Sequence, residues 1–240
     1  MRKDLLSALG TIAVLVVLGV SAVVVVQLLR SDDTRLLREA PRVGSDASPV
    51  PPGDPEERLH FVVDSTASSA KYVVREKLAA LPVSTNAVGQ TSAVTGDLYL
   101  TTQDLAVAPD SLYRVDLRTL RSDEAMRDNF IRGATLATGQ FPFAEFRVKQ
   151  VTGFPASYVE GTEIELSLSG DMNIHGVTRA VTFSVKARKT GSTLTAVADT
   201  DFKMTDFGIR PPDLAVSKAE DSVHVQVVLV ATLQRDVDDQ

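Results

Sequence analysis

The sequence predicts an all-β domain with one short helix, an antiparallel barrel of eight strands, preceded by an N-terminal transmembrane helix and a linker. Residues 163–188 hold two runs of clean alternation around a short turn. The rest of 59–235 is a succession of short alternating runs with no strand–helix–strand rhythm, which favours an antiparallel barrel over an α/β fold. Residues 5–29 carry no charge, and a proline-rich stretch separates them from the first alternating run.

After a four-residue tip, expected to be cytoplasmic, the 25 residues 5–29 are dominated by Val, Leu and Ala. As a helix they span about 37 Å, enough for a hydrocarbon core of about 30 Å with some tilt. Val20-Ser21-Ala22 offers a small-residue cleavage site, but the apolar run continues to Leu29. A signal-peptide core is shorter, about 7 to 15 residues, so an uncleaved signal anchor is expected. Arg2 and Lys3 before the span are opposed by Arg30, Arg35 and Arg38 after it, so the positive-inside count alone does not orient it. Residues 30–58 place Pro41, Pro49, Pro51, Pro52 and Pro55 among charges and small residues, the composition of a disordered tether.

The domain is expected over 59–235, with a short tail at 236–240. Leu59, Phe61 and Val63 alternate with His60 and Val62, and 69–76 continues as strand or begins a second one. Residues 84–90 are polar and predict a loop. Strand returns at 92–102, where Gly96 marks a bulge or bend. A strand at 111–117 precedes a helix over 122–131, with Ser122 or Asp123 as N-cap and Met126, Phe130 and Ile131 toward one side. Strand follows at 143–151. In the hairpin, Ile164, Leu166, Leu168, Met172 and Ile174 share one face, and Val181, Phe183, Val185 and Ala187 answer them after the turn. Strands at 194–202 and 222–234 complete the set.

Of the net charge of −6, −5 lies on residues 59–240. An acidic domain without a Lys/Arg stripe lacks the phosphate neutralisation that supplies nucleic-acid affinity. With no cysteine there is no disulfide, thiol nucleophile or lipidated cysteine. His60, His175 and His224 stand apart with no paired-histidine spacing, so no metal site is expected. His175 is expected to hydrogen-bond backbone within its turn, where Gly176 supplies a positive φ. No Gly-x-Ser-x-Gly elbow, paired carboxylates or glycine-rich phosphate loop is present, so neither an enzyme nor a cofactor is expected.

The run Gly170-Asp171-Met172-Asn173-Ile174-His175-Gly176-Val177-Thr178-Arg179 resembles the signature of the YceI-like family. Three further words fit in order: Arg127-Asp128-Asn129-Phe130-Ile131-Arg132, then Phe141-Pro142-Phe143-Ala144-Glu145-Phe146, then Asp206-Phe207-Gly208-Ile209. Departures are Met172-Asn173 where Leu-Thr is usual, Ala180 where Pro is usual, and an opening strand without the customary His. The resemblance implies a lipocalin-like barrel that holds a long polyisoprenoid or fatty-acyl amphiphile. It also implies an exported domain, hence a single-pass bacterial cell-envelope protein with the barrel outside the cell membrane, and it allows a homodimer.

An eight-stranded barrel is just wide enough either to fill with side chains or to hold one slender ligand, and composition leaves both open. Inward candidates of middling size include Val94, Leu98, Ile164, Leu168, Val181, Val185, Val225 and Val227, with Phe183 between them. Phe130, Phe141, Phe143, Phe146, Phe202 and Phe207 lie in or beside the family words. They are candidates to line or gate a pocket, or else to pack as core and lid. Arg127 and Arg132 sit on the expected helix, either reaching a lipid headgroup or joining Asp128 in ion pairs that fix the helix to the rim. The alternative function is a solid barrel that docks an envelope partner, with an exposed apolar strip where parity breaks at Val228 and Val230.

Overall fold

Each alternating run of the domain becomes a strand, and the strands close on themselves. The computed structural model describes residues 39–41, 58–79, 84–101, 106–108 and 110–234. The strands are β1 (Arg58–Val63), β2 (Ser69–Leu78), β3 (Ser84–Thr91), β4 (Val94–Thr101), β5 (Leu112–Asp116), β6 (Phe143–Thr152), β7 (Glu163–Ile174), β8 (Val177–Thr190), β9 (Thr193–Lys203) and β10 (Ser217–Gln234). The helix α1 (Ala125–Phe130) lies between β5 and β6 and runs into a wider π turn at Ile131–Thr135. The expected span at 5–29, the tip, residues 30–38 and 42–57 of the tether and the tail lie outside the described residues. Among the described residues no helix is long and apolar enough to cross a membrane.

Ten strands make eight staves. β1 and β2 both pair with β10, β1 opposite Ala231 to Gln234 and β2 opposite Ser217 to Val228, so they are two halves of one bent stave. β4 pairs with β1 and β3 with β2, making the second stave, also bent. From there β5 to β10 follow in sequence order, every pair is antiparallel, and the β1–β10 pairing closes the ring. Sequential pairing needs only short connections, and closure removes the exposed edges that an open sheet would leave.

Both bends are held by short polar side chains. At the first, Asp64 Oδ1 accepts from the Thr66 amide at 2.9 Å and its hydroxyl at 2.6 Å. Ser68, 3% exposed, accepts from the Val230 amide at 3.0 Å, serving β10 where its partner changes from β1 to β2. At the second, Thr91 Oγ1 accepts from the Ala93 amide at 3.0 Å and bonds Thr119 Oγ1 at 2.6 Å.

Two expectations are corrected here. Residues 84–90 are not a loop but most of β3: they pair along β2 from Lys77↔Ser84 to Ala70↔Thr91. Their inward positions are small, Ala87 and Gly89, because the Tyr72 ring fills that space: a Cβ at Gly89 would stand 2.4 Å from Tyr72 Cε1. Of the bulge or bend expected at Gly96, a bulge is absent, since its pairing with Tyr113 is in regular register. It is glycine because a Cβ there would meet the Leu112 carbonyl and the Tyr113 ring at 2.6 Å. The register shifts lie at Val148/Gln150 and Ala219/Val223.

α1 is also shorter than expected. Its N-cap is Glu124, without a side-chain bond; Asp128 Oδ1 instead reaches back to the Ser122 amide at 2.8 Å and its hydroxyl at 2.6 Å. In the β7–β8 turn His175 (φ 55) and Gly176 (φ 75) both take positive φ, the two-residue geometry that suits the right-handed twist of a hairpin. The His175 ring is spent on packing, 4.7 Å from Phe141.

Within the stretch expected to be a disordered tether, residues 39–41 are bound to the outer wall. They cross one cross-strand row, Glu163↔Arg188↔Thr195. Arg188 donates to Glu39 at 3.0 Å and lies 3.5 Å from Glu163; the Ala40 amide donates to Glu163 at 2.9 Å, and Thr195 Oγ1 donates to the Pro41 carbonyl at 2.8 Å. Ala40 and Arg188 are buried, 2% and 8% exposed. Arg188→Ala is therefore expected to cost about 2 kcal/mol, less than a fully buried pair because Glu39 is half exposed. At about 2–4 °C per kcal/mol the melting temperature should fall by about 4–8 °C. Hydrogen exchange of the Ala40 amide should rise with it.

Candidate functional site

The ring encloses an apolar interior. Phe146, Val148, Met172, Phe183 and Val185 pack into the principal core cluster, with Phe146 and Phe183 edge to face at 5.0 Å. Leu168, Val181, Val225 and Val227 have the same inward parity and lie well within their strands, yet each remains only half-buried. In a solid barrel such side chains would be sealed like Val148, which is 1% exposed. Burial raises the Tyr113 phenol pKa above the usual 10.0.

The β2–β3, β5–β6, β7–β8 and β9–β10 connections all emerge at one end of the barrel, which α1 and a 3-10 turn at Met204–Phe207 close. Phe207, 1% exposed, stands edge to face with Phe202 at 5.0 Å. Gly208 takes φ 69 as the left-handed cap, which lets Ile209 return into the core at 3% exposure. That geometry is why Phe207-Gly208-Ile209 stand together. The turn is tied to β10 by Asp221, whose carboxylate accepts from the Thr205 hydroxyl at 2.6 Å and amide at 3.0 Å. Those bonds, the hydroxyl first, hold the Asp221 pKa below 3.8. An unfolded Asp titrates near 3.9, so this contribution is complete above about pH 4 and is lost as pH falls through the lowered folded value. Amides at 204–209 should exchange faster at pH 3 than at pH 6 after correction for intrinsic rates. Asp221→Asn should exchange fast at both.

Most of the sequence-expected site residues gather at this interior. Phe146, Phe183, Val185 and Phe207 are core; Leu168, Val181, Val225, Val227 and Phe202 are partly buried and pack against them. Phe130 ends α1, and Phe141 packs against the β7–β8 turn, where a Cβ on Gly176 would lie 2.7 Å from its ring. Phe143 belongs elsewhere. It stands on the outer wall beneath two guanidiniums, Arg114 at 5.0 Å and Arg118 at 5.2 Å.

The two arginines are engaged within the protein. Arg127 pairs with Glu76 at 3.3 Å, and Ser217 donates to the second Glu76 oxygen at 2.9 Å, which accounts for a carboxylate only 6% exposed. Arg132 donates to the Leu120 carbonyl at 2.6 Å and to Asn129 at 2.9 Å. Both brace α1 on the rim. Among the described residues no group of His, Cys, Asp or Glu is arranged to hold a metal.

Sequence reasoning missed Tyr72 and Tyr113, the two inward tyrosines. The alternation Ala70, Tyr72, Val74 carried the signal for the first. The expected outer apolar strip at Val228 and Val230 is half-buried; among the described residues the exposed large apolar side chains are Met126, Leu214 and Val216 at the helix end and Tyr158 and Val159 in the β6–β7 loop.

Known proteins share this architecture. BcnA of Burkholderia cenocepacia superposes with a TM-score of 0.55 at 20% identity, over 71% of this chain and 99% of its own. A polyisoprenoid-binding domain from Saccharophagus degradans, implicated in plant cell wall breakdown, gives 0.57 at 15% identity, over 72% and 98%. At these identities the likeness shows the fold. No curated protein sequence matches the chain. The profile of the YceI-like domain matches residues 61–231, and on that match, laid over a closed eight-stave antiparallel barrel, the chain belongs to the YceI-like family.

Proposed function

We propose that this chain is a lipid-binding protein whose barrel holds the apolar chain of a polyisoprenoid or fatty-acyl amphiphile, for carriage or sequestration. The observation that carries this reading is the accessible surface left on Leu168, Val181, Val225 and Val227 inside a closed ring. Burial of an acyl or prenyl tail there gains about 25 cal/mol per Å² and needs no covalent chemistry. The polyisoprenoid-binding domain of similar fold supports the ligand class. Residues 5–29 would anchor the protein in the cell membrane with the barrel on the outer side, keeping an insoluble ligand within reach of the bilayer. Transfer of a radiolabelled polyprenol between two vesicle populations tests the function: it should rise in proportion to added protein. A rate unchanged by the protein would contradict carriage.

A second reading, a docking module of the cell envelope, draws on Met126 and Val216 at the helix end, 78% and 70% exposed. It requires no lumen and no lipid, and separates from the first by the same transfer assay.

A further inference from the structure

The outer wall of the barrel carries a covered strip. On β9, Ala196 and Ala198 point into the core, so Thr195 and Val197 point outward; across the ladder Val230, Val228 and Gln226 of β10 share that outer face. Outward side chains on an antiparallel barrel face water, as Lys149 on β6 and Glu165 and Ser167 on β7 do. Here Val197 is 1% exposed, Thr195 and Gln226 are each 3% exposed, and Val228 and Val230 are half-buried. The neighbours of Val197 in the sheet stand level with it, and the longest of them, Lys186, leans away to Glu165 of β7 at 3.8 Å. The cover therefore comes from outside the sheet. Glu39, Ala40 and Pro41 supply it at one end only, because their bonds stop at the Thr195 row.

Chain direction and chain length select the segment that continues the cover. The Ala40 amide sits on Glu163 of β7 and the Pro41 carbonyl on Thr195 of β9, so the chain is crossing the wall toward β10 as it passes Pro41. It returns at Arg58, where β1 begins beyond the far end of β10, His60 standing opposite Gln234. At about 4.8 Å per stave and about 3.3 Å per residue, the straight path from Thr195 to Arg58 is about 22 Å. The intervening residues 42–57 can span about 55 Å. The excess suffices for an excursion of about 13 Å from the Val230 row up to Gln226 and the same distance back. Arg42-Val43-Gly44-Ser45-Asp46-Ala47-Ser48 opens that segment with mostly small side chains, two of them apolar. Lys71, opposite Gln226 on β2, brings to the upper end of the strip a charge complementary to Asp46.

We infer that residues 42–48 dock on the outer wall over Val197, Val228 and Gln226, continuing the strap that Glu39 begins. The strip is a seat for the chain's own tether, and an envelope partner reaches it only by displacing the strap. This concerns the outside of the barrel and stands whether or not the inside holds a lipid. Hydrogen exchange of the full-length chain in detergent micelles tests it. Amides of residues 42–48 should exchange about tenfold or more below their intrinsic rates. Val228→Lys, harmless on a bare wall, should return them to near those rates while amides of the β7–β8 hairpin stay protected. Intrinsic rates in the parent, or protection that Val228→Lys leaves untouched, would overturn the seat. The chain has no cysteine, so an introduced pair gives a second reading that does not depend on that variant's folding. Val43→Cys with Val228→Cys should close a disulfide within one chain under mild oxidation, and Val43→Cys with Lys186→Cys, on the other side of Val197, should close far less of it. Equal closure of the two pairs would mean an undocked tether. Covalent dimers in place of the internal disulfide would assign the seat to a second copy; either result would overturn the inference.

Discussion

Val227→Phe is expected to leave the barrel within about 1 kcal/mol of the parent in stability and to weaken polyprenol binding at least tenfold. Val227 faces inward on β10, half-buried, between the small residues Ala198 of β9 and Ala70 of β2, and on the lipid-binding reading it lines the ligand's space. Enlarging a side chain that borders empty space adds buried apolar area at little strain. The added ring then occupies volume the ligand tail would use, and a loss of about 1.4 kcal/mol in binding is already tenfold. A solid core gives the opposite result, because overpacking typically costs about 1–3 kcal/mol. Thermal unfolding beside a polyprenol titration reads both quantities. A melting temperature lowered by several degrees, with no binding in the parent to lose, would favour the packed docking module.

Phe207→Ala should be the most destabilising single change among the family words, by about 3–5 kcal/mol. The side chain is 1% exposed, contacts Phe202 edge to face, and joins the 3-10 turn to the core beneath it. At about 2–4 °C per kcal/mol, the melting temperature should drop by about 6–20 °C. Phe143→Ala is the matched control. Its ring lies outside beneath Arg114 and Arg118, so the loss should stay near 1 kcal/mol. Similar losses at the two positions would mean that Phe143 is as integral to the core as Phe207.

The sequence was most legible where one face of a strand is buried and the other wet. β7 and β8 alternate almost without exception, because each faces the apolar interior on one side and solvent on the other, and their hairpin turn is set by His175 and Gly176. β3 was illegible for an equally physical reason. Tyr72 supplies from β2 the bulk that β3 would otherwise provide, so Ser84–Thr91 keeps small inward residues and loses the apolar signal. The start of β10 was hidden by the register shift between Ala219 and Val223, which interrupts parity just where the strand extends along β2.

The candidate site was half legible by the same logic. Leu168, Val181, Val225 and Val227 follow from parity alone, and parity also separates Phe143 from Phe146, since the two fall on opposite faces of β6. Grouping phenylalanines by nearness in sequence obscured that difference. The clamp of Arg188 on residues 39–41 joins positions 149 apart in the chain, and a pairing of that range leaves no periodic trace in a single sequence.

Native mass spectrometry of the purified full-length chain, followed by organic extraction of whatever accompanies it, tests the lumen most directly. A stoichiometric adduct that extracts as a long-chain lipid is the expected result. A bare mass that stays bare after incubation with prenyl and acyl lipids would contradict it and leave the barrel as a packed scaffold.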